Sequence, residues 1–103
     1  MNASPLTGAQ KTKLRGLGQT SPDNLLVGRE GAAENVTAQL DRELTNRELV
    51  KVRFTGGQDR HARAALHETL AAATRSECVG SVGHTALFFR QNPDAAQRRI
   101  ELI

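Results

Sequence analysis

At 103 residues, with 38% apolar and 24% charged side chains, the chain suffices for one domain with a single core and does not have a disordered composition. It has neither Trp nor Tyr and only three Phe, so aliphatic side chains and alanine must fill that core. The net charge of +3 is carried mostly by arginine, which suits an anionic partner, and the single cysteine, Cys78, excludes an intramolecular disulfide.

Residues 1–5 read as a disordered tail with neither the basic nor the apolar region of a secretory signal. No apolar run approaches the length of a membrane span, and the lone cysteine favours a reducing, cytoplasmic setting. Thr7 is placed to open a first helix, with Gln10 three residues on as its capping-box partner. Leu6, Gln10, Leu14 and Leu17 lie along one side, and Lys11 and Arg15, four apart, share another. Gly16 and Gly18 are expected to end the helix before the linker "QTSPDN". "LLV" at 25–27 reads as a short buried strand, followed by Gly28-Arg29-Glu30-Gly31. A second helix is expected from about Ala32 to Asn46, on a stripe of Val36, Leu40 and Leu44 widened by Ala33 and Thr37.

"ELVKVRF" at 48–54 alternates: Val50, Val52 and Phe54 point one way, Leu49, Lys51 and Arg53 the other. Gly56 and Gly57 break this strand. The third helix is expected from about Asp59 to Thr74, with Ala62, Ala65, Leu66, Thr69, Leu70 and Ala73 at helical spacing and a separate basic stripe of Arg60, Arg63 and His67. "CVGSV" and "TALFFR" read as two strands joined by a tight turn at Gly83-His84. Residues 93–103 are expected as a C-terminal tail or a short added strand. Each strand–helix–strand passage predicts parallel neighbours, and the final hairpin adds an antiparallel pair. The expected fold is therefore α/β, in the order α-β-α-β-α-β-β, with a four-stranded mixed sheet packed by three helices.

Gly28, Arg29, Glu30 and Gly31 stand between a strand and a helix. Helix N-termini offer unpaired N–H groups, and glycine lets a sugar-phosphate backbone come close, which is the physics of the GXXG loop of KH-type domains. The same two glycines also describe an ordinary strand-to-helix turn, the commoner meaning of the pattern, and the charge of Glu30 repels phosphate. The stretch is neither a P-loop nor a dinucleotide fingerprint. A second constellation is basic: Lys11 and Arg15 on the first helix, Lys51 and Arg53 on the second strand, Arg60 and Arg63 on the third helix. Most such charges simply face water, but alternation puts Lys51 and Arg53 on one sheet face.

The residues able to do catalysis or hold a metal are few. His61 and His67, six apart, point about 240° from each other around a helix and do not chelate one ion from it. Glu68 shares a face with His61 but two turns away, Cys78 and His84 have no second ligand pair near them, and a lone cysteine is usually core. No catalysis, cofactor, metal or small-molecule substrate is expected.

Four stretches in order, "LTGAQKTKLRGLG" at 6–18, "LLVGREG" at 25–31, "ELVKVRF" at 48–54 and "GHTALFFR" at 83–90, together resemble the CRM domain, the RNA-binding module of chloroplast splicing and ribosome-maturation proteins, and more closely its stand-alone bacterial YhbY-like members. The resemblance runs from Leu6 to Arg90 and places the domain at 6–92. It implies the same element order, a GXXG loop at Gly28, Arg29, Glu30 and Gly31 with Arg29 on phosphate, and association with ribosomal RNA precursors of the large subunit. Similar folds include the C-terminal domain of translation initiation factor three. The chain departs from the family pattern at Gly18-Gln19, where an Ala-His pair is common, at His84, where Lys is usual, and at Phe89, where Tyr is. The expected function is RNA binding through the loop and the surface bearing Lys11, Arg15, Lys51, Arg53, Arg60 and Arg63. The alternative is a protein-interaction module of the same fold.

Overall fold

In the computed structural model, which describes residues 6–102, the chain forms α1 (Gly8–Gln19), β1 (Leu25–Val27), α2 (Glu34–Arg47), β2 (Leu49–Phe54), α3 (Arg60–Thr74), β3 (Glu77–Val82), β4 (Thr85–Phe89) and a 3-10 turn at Ala95–Gln97. The tail expected at 1–5 lies outside the described residues. The α/β class, the three helices and the four-stranded mixed sheet are as the sequence predicts.

Thr7 caps α1 through the expected box: its Oγ1 accepts from the Gln10 N–H (3.1 Å) and its own N–H donates to Gln10 Oε1 (2.9 Å). The helix does not stop at Gly16 and Gly18 but continues to Gln19. Gly18 is buried, and a Cβ there would run into the side chain of Leu87, so this glycine lets the helix lie close on the sheet instead of ending it.

The strand order is β1-β2-β4-β3. β1 and β2 are parallel, as expected, with Leu25 opposite Val52 and Val27 opposite Phe54. The passage through α3 departs from expectation, because β4 inserts between β2 and β3 and pairs antiparallel with both. Burial explains the order. Ala86, Phe88 and Phe89 of β4 are buried, which suits a central strand, whereas Ser81 and Val82 of β3 are exposed, which suits an edge. β1 is likewise an edge strand. It is not buried throughout, since Leu26 is 60% exposed.

α2 and α3 pack on one face of the sheet over Val36, Leu40, Leu44, Val50, Val52, Leu70 and Phe88. α1 covers the other face over Leu14, Val79 and Phe89. α2 buries the predicted stripe, but α3 is rotated from the predicted one. Ala62, Ala65, Thr69 and Ala73 are exposed, while Leu66, His67, Leu70 and Thr74 turn inward. A leucine or a ring removes far more apolar area from water than a methyl does. The His67 ring gains Phe54 at 5.1 Å and Phe88 at 6.3 Å.

The segment expected as a tail or added strand does neither job. Among the described residues it pairs with no strand, and it folds back along α1 and the end of the sheet, with Ile100 and Leu102 against the cluster of Leu14, Val79 and Phe89. Its anchor is Glu48, a residue not singled out in the sequence. Glu48 caps α2 at φ 68°, ψ −42° and is 1% exposed. Its carboxylate accepts backbone N–H groups from Asn92 (2.7 Å), Arg99 (2.7 Å) and Ile100 (3.0 Å).

Candidate functional site

Because β1 and β2 are parallel, the loops that follow them emerge at the same end of the sheet. They are joined there. The Thr55 N–H donates to the Val27 carbonyl (2.8 Å) and Gln58 Nε2 to the Gly28 carbonyl (3.0 Å). A Cβ on Gly56 would lie 2.6 Å from the carbonyl carbon and oxygen of Gly28, so only glycine allows the two loops to touch. The hairpin tip joins them, because the Phe54 N–H donates to the His84 carbonyl (2.7 Å).

Gly28–Gly31 forms a turn closed by the Gly31 N–H on the Gly28 carbonyl (3.2 Å). The turn does not open directly into the helix, in contrast to the expected start at about Ala32. Ala32 and Ala33 intervene, α2 starts at Glu34, and Ala33 gives it no side-chain cap. The two glycines differ in what they do. Gly31 sits at φ 58° and its α-carbon faces Leu66 of α3, where a Cβ would come within 3.1 Å of Cδ2. It is glycine for structural reasons. Gly28 has an ordinary φ, and a Cβ there would meet only the carboxylate end of Glu30, a flexible side chain that can move aside. The fold does not require that position to be glycine.

The predicted basic residues are scattered rather than gathered. Arg29 on the turn and Arg60 at the start of α3 are exposed, and their side chains hold no hydrogen bond or ion pair among the described residues. Arg63 donates to the Gln58 carbonyl (2.6 Å) beside them, and Asp59 caps α3 through the Ala62 N–H (2.8 Å). Arg53 pairs with Asp23 (2.7 Å) in a row across the sheet that also carries Leu26, Thr85 and Val82. Lys11 and Arg15 lie elsewhere, on α1: Lys11 pairs with Glu77 (2.9 Å) and Arg15 donates to the Val79 carbonyl (2.8 Å).

The face bearing Lys51 and Arg53 is the one α1 covers. Lys51 Nζ reaches the carbonyls of Gly18 and Ser21 (both 3.3 Å), where it neutralises the negative end of α1. Lys51→Ala is therefore expected to lower stability by about 1 kcal/mol or somewhat more. Thermal melts check this; an unchanged melt would show that the contact with the end of α1 does not contribute to the fold.

His67, placed by the sequence in a basic stripe, contributes no charge. Burial, and then the Arg63 charge, push its imidazole below its ordinary range, so it is neutral at pH 7. Its Nε2 and the Oε1 of Gln58 are buried without hydrogen-bond partners among the described residues. Burial pushes the Cys78 thiol up, which keeps it protonated and a poor nucleophile. Among the described residues no three His, Cys, Asp or Glu side chains are grouped to hold a metal.

The family model of the CRS1 / YhbY (CRM) domain matches residues 6–90. A protein of Pseudomonas aeruginosa named a probable RNA-binding protein is 39% identical over 88 residues, spanning 85% of this chain and 84% of the relative. A probable RNA-binding protein of Bacillus subtilis is 30% identical over 97 residues, 94% of this chain and 98% of its own. Among solved structures, the solution structure of a hypothetical RNA-binding protein from Staphylococcus aureus superposes with a TM-score of 0.78 at 34% identity, covering 93% of this chain and 99% of that one.

Proposed function

Because the chain belongs to the CRS1 / YhbY (CRM) domain family, we propose that it binds RNA, and that this RNA is a ribosomal precursor met during assembly of the large subunit in the cytoplasm. The relatives' names support the first part, and the resemblance to stand-alone family members motivates the second. Gly28 carries the reading on the structural side. The fold leaves it free to be any small residue, and in this reading its glycine admits a phosphate to a turn that carries Arg29 and is tied through Gln58 to the start of α3 at Arg60, the two guanidinium groups having no partner among the described residues. In this proposal Gly28–Gly31 acts as the GXXG loop, Glu30 swings off Gly28 to admit the strand, and Arg53 and Arg63 contribute at its rim. Lys11, Arg15 and Lys51 serve the fold. No catalytic step is assigned.

Arg29→Asp tests the loop. It removes a charge-assisted donor and adds a like charge beside Glu30, so affinity for pre-ribosomal RNA is expected to fall about tenfold or more. The helical circular dichroism should not change, because Arg29 is exposed. Gly28→Ala should also weaken binding while leaving the melting temperature in place. If both variants fold and bind at wild-type affinity, the turn is only a turn. A second reading draws on Leu26 and Val82, which are 60% and 81% exposed on the row beside Arg53. A protein partner seated there would give co-sedimentation with large-subunit precursors that survives RNase, whereas RNA binding requires it to be lost.

A further inference from the structure

At the opposite end of the sheet, where β3 begins and β4 ends, a groove of about 1670 Å³ runs between the C-terminal segment and the end of α3. Four arginines line it, Arg75, Arg90, Arg98 and Arg99, against two acids, Glu77 and Glu101. Glu77 is already paired with Lys11. Arg90 is committed to Asp41, Thr45 and the Thr74 carbonyl. The other three are not. Arg98 and Arg99 each use only Nε, on the carbonyls of Asn92 and Asn46, and the Arg75 side chain has no partner among the described residues. Each of these guanidinium groups keeps the paired terminal N–H donors that fit a phosphate.

Two further features show that the arrangement is held in place. The Glu48 carboxylate fixes the backbone N–H groups of Arg99 and Ile100, so the arginines of this segment stand on an anchored backbone. Arg75 stands at φ 55°, ψ 39°, with the Ser76 N–H on the Ala71 carbonyl (2.9 Å), the helix-ending position that glycine fits best. A cation is kept there despite the left-handed backbone.

We propose that this groove is a second binding site for the sugar-phosphate backbone of RNA, so that the chain holds two stretches of one strand at opposite ends of its sheet. The two ends are separated by five strand steps, about 17 Å. The inference rests on the reading of the chain as an RNA binder, but uses none of the residues of the loop.

The test uses the full chain, a strand of about four nucleotides, which the loop alone accommodates, and a strand of about twenty, each titrated by fluorescence anisotropy across a range of KCl. The variant is Arg75→Gly with Arg98→Gln. Glycine relieves the left-handed backbone and glutamine can still donate to the Asn92 carbonyl, so the fold is retained. Removing two cations should lower the salt slope for the long strand by roughly 1.4 log units per log unit of salt, with tenfold or greater loss of affinity, and leave the short strand unaffected. Arg75→Gly alone, whose melting temperature should not fall, is expected to lower the slope by roughly 0.7. Wild-type affinity and slope on the long strand, or equal loss on both strands, overturns the second site. If the wild-type chain binds neither strand, the RNA reading itself falls and the groove with it.

Discussion

Glu48→Ala is expected to destabilise the protein by about 3–5 kcal/mol and to lower its melting temperature by roughly 15 °C. One buried carboxylate accepts three backbone N–H groups from a segment more than forty residues away in sequence. Hydrogen bonds to a charged group contribute about 1.5–3 kcal/mol each. Water recovers part of that when the segment lifts, which is why the expected loss is below the sum. Against a total stability of about 5–15 kcal/mol for a small domain, this is a major share. Release of the segment also uncovers the cluster of Leu14, Val79 and Phe89, and should speed tryptic cleavage after Arg98 and Arg99. Glu48→Gly separates the anchor from the backbone strain. Glycine loses the same carboxylate but is at ease at φ 68°, so it should be less damaging than alanine by about 1 kcal/mol or more. A melt of Glu48→Ala within 1 kcal/mol of wild type would show that the segment is held by its apolar contacts instead.

Gly56→Ala is expected to cost about 1–3 kcal/mol and, on the proposal that the adjoining turn binds RNA, to weaken that binding with it. The new Cβ would sit 2.6 Å from the Gly28 carbonyl and 2.5 Å from Gln58 Nε2, so the two loops must part and the Gln58 hydrogen bond must break. Backbone does not yield as a side-chain end does. This distinguishes Gly56 from Gly28, where the same methyl displaces only a carboxylate. If the Gly28–Gly31 turn binds RNA as proposed, the matched pair separates two uses of glycine: Gly56→Ala should lower both stability and affinity, and Gly28→Ala affinity alone. Unchanged melting and binding for Gly56→Ala would mean that the contact between the loops is not maintained in solution.

The sequence by itself determined the elements. Apolar periodicity marked β2 and α2, Thr7 and Asp59 marked helix starts, and Gly83-His84 marked the hairpin, because each of these signals acts within a few residues of chain. The two glycines of Gly28–Gly31 marked a turn after β1, and the family resemblance implied an RNA-binding role for it. What periodicity left open was everything decided by contact between distant residues. The central place of β4 follows from burial on both of its faces, and the rotation of α3 from the larger area that Leu66, Leu70 and the His67 ring remove from water. Only the tertiary structure made Lys51 a cap on α1, Gly31 a structural glycine and Gly28 a free one, and Glu48 the anchor of the C-terminal segment, since a charge or a glycine carries no mark in the sequence of the partner the fold will bring to it.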